Sequence, residues 1–318
     1  MFLYILIFVI SFIFLIKAGA TLVRSLTKLA RFFQVSEYVI AFFLMSFATS
    51  IPELFVGLSS ALEDIPRLSL GNIIGANFIN VTLIMGVIVL LNRGIKIESK
   101  ISQENFWLIF FLVLFPIFLS LDGMISRSDG VILLLAFILY LASLIKEKEY
   151  FTKTIKSIEF NHEISVGVFK WLGRFLLGII ILLLSSFALV WAGKQLIFGL
   201  GISALFFGII FVALATTVPE LVFGIRASLL KHTQMSIGNT MGSVAFNSAF
   251  IIALVSIVNP IQIDNNINFF FAIIFLIAAM LLLNIFVYTR SNISSREGII
   301  LIGLYIFFLV IQYLFYTI

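Results

Sequence analysis

The chain has 318 residues, 62% of them hydrophobic and only 11% charged, with a mean hydropathy of +1.22. A soluble domain carries about 25% charged residues, so this chain has too little polar surface to face water all round, and its 37 phenylalanines suit helices that face lipid. Zero cysteines exclude disulfides, thiolate metal sites and cysteine nucleophiles, and the net charge of +5 reads as membrane topology rather than as a nucleic-acid surface.

The N-terminus is apolar from Met1 to Ile16, with no basic leader and no small-residue cleavage site, so it reads as a retained first span. A transmembrane helix needs about 20 predominantly apolar residues. Marking such stretches predicts ten spans, at 2–29, 37–61, 67–92, 105–121, 127–146, 165–198, 203–230, 234–258, 267–288 and 296–316. The protein is therefore expected to be an all-α polytopic membrane protein. The first and sixth spans exceed one crossing, which predicts tilt or an extension. Residues 147–164 form the longest connection and read as a cytoplasmic linker between two halves, 1–146 and 165–318.

Lysine and arginine orient this arrangement. With the N-terminus outside, 17 basic residues fall on the inward side and three, Arg67, Arg127 and Lys194, on the outward side. That asymmetry predicts both termini outside a plasma membrane. Glu63 and Asp64 read as part of a solvated outer connection, Asp122 and Asp129 as solvated or capping groups at span ends. His162 and His232 read as surface residues, too few and too far apart for a metal site.

An internal repeat organises the chain. Residues 46–80 (SFATSIPELFVGLSSALEDIPRLSLGNIIGANFIN) align without a gap on residues 213–247 (ALATTVPELVFGIRASLLKHTQMSIGNTMGSVAFN), with 12 of 35 positions identical and a constant offset of 167. The first copy lies in spans 2 and 3, the second in spans 7 and 8. An odd number of spans separates them, so the copies are expected to enter the membrane from opposite sides. This is the pattern of an inverted-topology repeat, two five-helix units with an ion site at their interface.

The repeated residues suit a cation. Pro52 and Pro219 donate no amide hydrogen and clash with the carbonyl four residues back, so the carbonyls near Ala48 and Ala215 lose their partners. Unpaired carbonyls are tolerated inside a membrane only where something else satisfies them. Thr49, Ser50, Thr216 and Thr217 add hydroxyls on the same turns. Glu53 and Glu220 add mid-span carboxylates with no lysine or arginine at matching depth, and an acid there costs about 2.5–3.5 kcal/mol. Such acids must be protonated or bind cations. Gly71, Gly75, Gly238 and Gly242 allow close helix approach, and Asn72, Asn80, Asn239 and Asn247 place amides near that contact. These are hard oxygen donors, which suit calcium rather than zinc or copper.

At A-T-S-I-P-E-L and A-T-T-V-P-E-L, each followed by S-x-G-N-x-x-G, the chain resembles the cation/calcium antiporter superfamily, most closely its sodium/calcium exchanger branch. The resemblance implies two inverted five-span halves, with spans 2, 3, 7 and 8 enclosing the sites and the long spans 1 and 6 sliding to expose them alternately. Carried over by position, it implies a calcium site from Glu53 and Glu220 with backbone oxygens of Thr49 and Thr216. Sodium sites would add Ser46, Ser50, Ala213, Thr217, Ser243, Asn80 and Asn247. The chain departs from the family pattern at Ala48 and Ala215, where the motif has glycine, and at Thr217, where it has serine. Ala76 stands where many relatives have a serine hydroxyl, and Asn247 where potassium-dependent exchangers carry aspartate.

The expected function is sodium-for-calcium antiport by alternating access, with a proton-coupled antiporter of the same fold as the alternative. A channel would lack countertransport and needs a filter-like loop that the chain lacks. A membrane enzyme needs H-E-x-x-H or paired mid-membrane aspartates, which are also missing. No cofactor beyond transported Ca2+ and Na+, no nucleic acid and no protein partner are expected, and a monomer in the lipid bilayer suffices.

Overall fold

The computed structural model describes residues 1–32, 45–97, 100–146, 162–263, 267–290 and 292–316. Helix dominates. α1 is Phe2–Phe32, and α2 (Ser46–Thr49) is followed after one residue by α3 (Ile51–Leu62). α4 (Pro66–Ile79) runs through a π-helical stretch, Asn80–Ile84, into α5 (Met85–Leu91). α6 (Lys100–Leu119) and α7 (Arg127–Lys146) follow, then α8 (His162–Leu200). α9 (Ala204–Phe207) passes through a second π-helical stretch, Gly208–Val212, into α10 (Ala213–Thr216), and α11 is Val218–Leu229. α12 (Thr233–Ala245), a third π-helical stretch (Phe246–Ile251) and α13 (Ile252–Val258) precede α14 (Ile267–Arg290) and α15 (Ser295–Tyr316).

Among the described residues, eight helices are long and apolar enough to cross a membrane, nine if the pair Ala204–Thr216 and Val218–Leu229, bent by 41°, is one span. The protein is thus an all-helical, multi-span membrane protein. The first part of the expected second span, 37–44, lies outside the described residues, as does most of the expected linker, 147–161. The long first and sixth spans are α1 and α8, of 31 and 39 residues, and they pack along each other.

Burial separates centre from periphery. Pro66–Leu91 and Thr233–Val258 are 83% and 78% buried, whereas Phe2–Leu22, Arg127–Leu144 and Ser295–Gln312 are only 28% buried. The central helices carry the small residues, and small residues let helix backbones approach closely where lipid offers no hydrophobic drive to associate. At Gly71 a Cβ would stand 2.1 Å from the carbonyl oxygen of Leu205, and at Gly75 it would stand 2.4 Å from that of Ile209. The peripheral helices turn large apolar side chains outward, among them Phe118, Leu139, Phe169 and Leu184.

The backbone repeats itself at the sequence offset. α3 ends in a turn where Ile65 N–H donates to Ser60 O and Asp64 N–H to Ala61 O, with Asp64 left-handed at φ 60°. α11 ends in the same turn, with His232 N–H on Ala227 O, Lys231 N–H on Ser228 O and Lys231 at φ 67°. These are paired 6→1 and 5→2 closures of a helix C-terminus, and a non-glycine residue takes the left-handed position in both. Two short strand pairs tie early residues to late ones. β1 (Ile95–Lys96) pairs antiparallel with β4 (Asn292–Ile293), and β2 (Met124–Ile125) with β3 (Ile261–Gln262). Helix α6 separates β1 from β2, so the two pairs sit at opposite ends of the molecule.

The connecting acids lie at the surface, as a solvated outer connection predicts, and each also has a protein partner. Lys194 Nζ donates to the Glu63 carboxylate at 3.2 Å, and Asn259 Nδ2 donates to Asp64 Oδ1 at 3.0 Å. Glu63 thus joins the end of α3 to α8, and Asp64 joins it to the residue that follows α13. Asp129 caps its helix by accepting from the backbone and hydroxyl of Ser126 at 2.8 and 2.6 Å, and Asp122 accepts from Met124 N–H at 3.2 Å. His232 is exposed, and the side chain of His162 lies outside the described residues.

Candidate cation site

Each motif proline interrupts a helix. α2 stops at Thr49 and α3 starts at Ile51, so the carbonyls of Phe47, Ala48 and Thr49 fall outside the regular i→i−4 ladder; Ser50 N–H closes on Ser46 O and Leu54 N–H on Ser50 O around the gap. The second break has the same form between α10 and α11, with Thr217 N–H on Ala213 O and Leu221 N–H on Thr217 O. Glu53 and Glu220 follow in the first turn of α3 and α11, where a helix N-terminus favours negative charge. The breaks come together against α1. A Cβ on Gly19 would stand 2.8 Å from Pro219 Cγ and 3.3 Å from Pro52 Cγ, so only glycine lets that helix lie across both.

Glu53 and Glu220 are both fully buried. Neither oxygen of Glu53 has a hydrogen-bond partner of good geometry, although Thr216 lies beside it. Glu220 Oε1 accepts a long bond from Ser50 Oγ at 3.5 Å, while its Oε2 has no partner. No lysine or arginine pairs with either acid among the described residues. A buried carboxylate left this way is costly unless a cation or a proton compensates it.

The neutral oxygens divide into used and unused. Thr49 Oγ1 donates to Asn239 Oδ1 at 3.3 Å and shares a 3.2 Å contact with Ser243 Oγ. Thr216 Oγ1 donates to Asn72 Oδ1 at 3.0 Å, the matching bond in the other copy. Ala76, the counterpart of Ser243, offers no hydroxyl there. Ser46 Oγ donates to Asn239 O at 3.2 Å, and Thr217 Oγ1 donates back to Ala213 O at 2.7 Å. Asn80 keeps both ends of its amide unbonded and Asn247 keeps Oδ1 unbonded, with both side chains fully buried.

All eleven residues expected at the site, Ser46, Thr49, Ser50, Glu53, Asn80, Ala213, Thr216, Thr217, Glu220, Ser243 and Asn247, are therefore buried. The copies interlock through Thr49–Asn239–Ser243, Thr216–Asn72 and Ser50–Glu220. Four residues outside that set join the network: Asn72 and Asn239 through the bonds just named, and Asn77 and Ser248 through Asn247. Asn77 Nδ2 donates to Ser248 Oγ at 2.7 Å, and Asn247 Nδ2 donates to Asn77 Oδ1 at 3.3 Å. The available signal in the sequence was a break in the repeat, since Asn77 aligns with Val244 and Ser248 with Val81.

A donor set of two acids, amides, hydroxyls and helix-break carbonyls fits a hard cation such as Ca2+ or Na+. The family model described as sodium/calcium exchanger protein matches residues 3–146 and 170–314. The chain belongs to that family. The sodium/calcium exchanger MaX1 of Methanosarcina acetivorans is 28% identical, with 97% of this chain and 98% of that protein covered. The putative antiporter CaxA of Alkalimonas amylolytica is 25% identical over 80% of this chain and 81% of its own length. Among solved structures, the sodium-calcium exchanger NCX_Mj soaked with Na+ and Sr2+ is similar at a TM-score of 0.69 and 28% identity, covering 97% of this chain and 98% of that one. A second structure of NCX_Mj, soaked with Na+ and Ca2+, matches at a TM-score of 0.68. Membership of this family makes the chain a multi-span membrane transporter of the cation/calcium antiport type.

Proposed function

We propose that the protein exchanges Na+ for Ca2+ across the plasma membrane by alternating access, with both cations competing for one cavity between Glu53 and Glu220. The carrying observation is that pair of buried, unpaired carboxylates at two matched helix breaks. Calcium takes the two acids with the carbonyl oxygens of Thr49 and Thr216. Sodium draws on the same acids together with Ser46, Ser50, Ala213, Thr217, Ser243, Asn80 and Asn247. Two carboxylates neutralise one Ca2+, whereas three Na+ leave one positive charge, so exchange at that ratio is electrogenic.

The architecture in this reading is ten spans in two inverted five-helix halves, 1–146 and 165–318, joined by a cytoplasmic linker. Both termini lie outside, and one monomer is sufficient. The matched turns at Asp64 and Lys231, and the crossed strand pairs at opposite ends of the molecule, support the inverted relationship. No covalent chemistry is involved, and the long helices α1 and α8 slide past the breaks to expose the cavity to each side in turn.

The test is Ca2+ flux in proteoliposomes under an imposed Na+ gradient with pH clamped on both sides. Uptake that follows the Na+ gradient supports the reading. No uptake under the Na+ gradient, with uptake restored when a pH step is imposed in its place, assigns the same cavity to proton-coupled antiport, in which the glutamates are protonated as calcium leaves.

A further inference from the structure

Asn247 and Asn80 occupy matched positions in the two copies, yet their amides are held differently. Asn80 has no partner at either end, whereas Asn247 donates its Nδ2 to Asn77 Oδ1 at 3.3 Å. Asn77 is itself fixed, donating its own Nδ2 to Ser248 Oγ at 2.7 Å. All three side chains are 1% exposed or less. The copy-related positions hold Val244 and Val81, which neither donate nor accept, so this chain of bonds has no counterpart around Asn80.

An asparagine amide is an oxygen at one end and a pair of donors at the other, and its neighbours decide which end faces which way. With Nδ2 engaged by Asn77, Asn247 keeps Oδ1 as a buried acceptor with no protein partner. Turned over, the amide would present N–H groups instead, which repel a cation. We propose that Asn77 is the positioning residue of the cation site, anchored by Ser248 so that position 247 offers an oxygen rather than an amino group to the transported ion. This rests on the site reading above. It adds an asymmetry to that reading: the amide at 247 is preset as a ligand, and the amide at 80 turns to suit its occupant.

The proposal separates orientation from packing through the chemistry of position 247. An aspartate there has an oxygen at both ends, so which end faces the cation ceases to matter. Asn77→Leu is to be made in the natural background and in Asn247→Asp, and each purified protein assayed for equilibrium 45Ca2+ binding and for Na+ competition. The expected result is a loss of about tenfold or more in Ca2+ and Na+ affinity with Asn247 present, shrinking below about threefold with aspartate in its place, a difference of the size that neighbouring coupled residues show. Ser248→Ala, a smaller change in the same chain, should give a milder loss with the same dependence on residue 247, and it carries the test if Asn77→Leu does not fold. Equal losses in both backgrounds, or none with Asn247, overturn the proposal. Absence of Ca2+ binding by the unsubstituted protein would instead overturn the site reading itself.

Discussion

Thr216 Oγ1 donates to Asn72 Oδ1 at 3.0 Å across the two copies of the repeat, and Thr49 makes the corresponding bond to Asn239 Oδ1 at 3.3 Å. Each bond pins the residue whose backbone carbonyl lies at a helix break. The hydroxyls of Thr49 and Thr216 are thus engaged in bracing, whereas both Glu53 oxygens, Glu220 Oε2 and the amide oxygens of Asn80 and Asn247 have no hydrogen-bond partner.

Removing a brace should therefore cost stability without deleting a ligand. Thr216→Val keeps the carbonyl and the shape but strands Asn72 Oδ1 in the interior, an expected loss of about 1–3 kcal/mol. Thr49→Val strands Ser243 as well as Asn239 and should cost at least as much. Thermal unfolding in detergent measures both. Melting temperatures equal to that of the unsubstituted protein would show that the bonds carry no weight.

The carboxylates are the opposite case. Glu53→Gln and Glu220→Gln each keep volume and hydrogen-bonding ends while halving the charge available to a divalent ion. Ca2+ exchange in either variant is expected to fall to the level of empty liposomes, while membrane insertion and yield are retained. Full exchange by either one refutes the site.

Ala76→Ser tests stoichiometry. In the second copy Ser243 reaches Thr49 at 3.2 Å, and the equivalent place beside Thr216 has only a methyl group. Adding the hydroxyl should steepen the Na+ dependence of exchange and lower the Na+ concentration for half-maximal rate. An unaltered Na+ curve would mean that position 76 lies outside every sodium site.

Gly71→Ala probes the packing that brings the copies together. Its Cβ would fall 2.1 Å from Leu205 O and 2.9 Å from Leu205 C, backbone atoms that cannot rotate aside. Overpacking of this kind costs typically about 1–3 kcal/mol, and more is expected here because helix must separate from helix. A lowered melting temperature together with weakened cation binding is the expected pair of results, and an unchanged melting temperature would contradict this close approach.

Much of this protein was legible in one dimension. Spans follow from runs of apolar residues, breaks from Pro52 and Pro219, and candidate ligands from acids that no neighbouring base could pair, because each depends on the residue and the few beside it. The constant offset between Glu53 and Glu220 added the repeat, which is likewise a property of order along the chain. Tertiary structure alone decided which polar atoms are used and which are left. The Thr216–Asn72 bond spans 144 positions and the Asn247–Asn77 bond 170, so no local pattern encodes them. The same asparagine code letter stands at 72, 77, 80 and 247, and only the packing of α4, α10 and the π-helical stretches decides that the amide oxygens at 72 and 77 accept hydrogen bonds while those at 80 and 247 have no protein partner. Glu63 and Asp64 make the same point at the surface, since the lysine and asparagine that hold them come from positions 131 and 195 residues further along the chain. Hydrophobicity and backbone geometry act over a few residues and can be read in sequence, whereas a hydrogen bond in a dry interior depends on which side chain the fold delivers within about 3 Å.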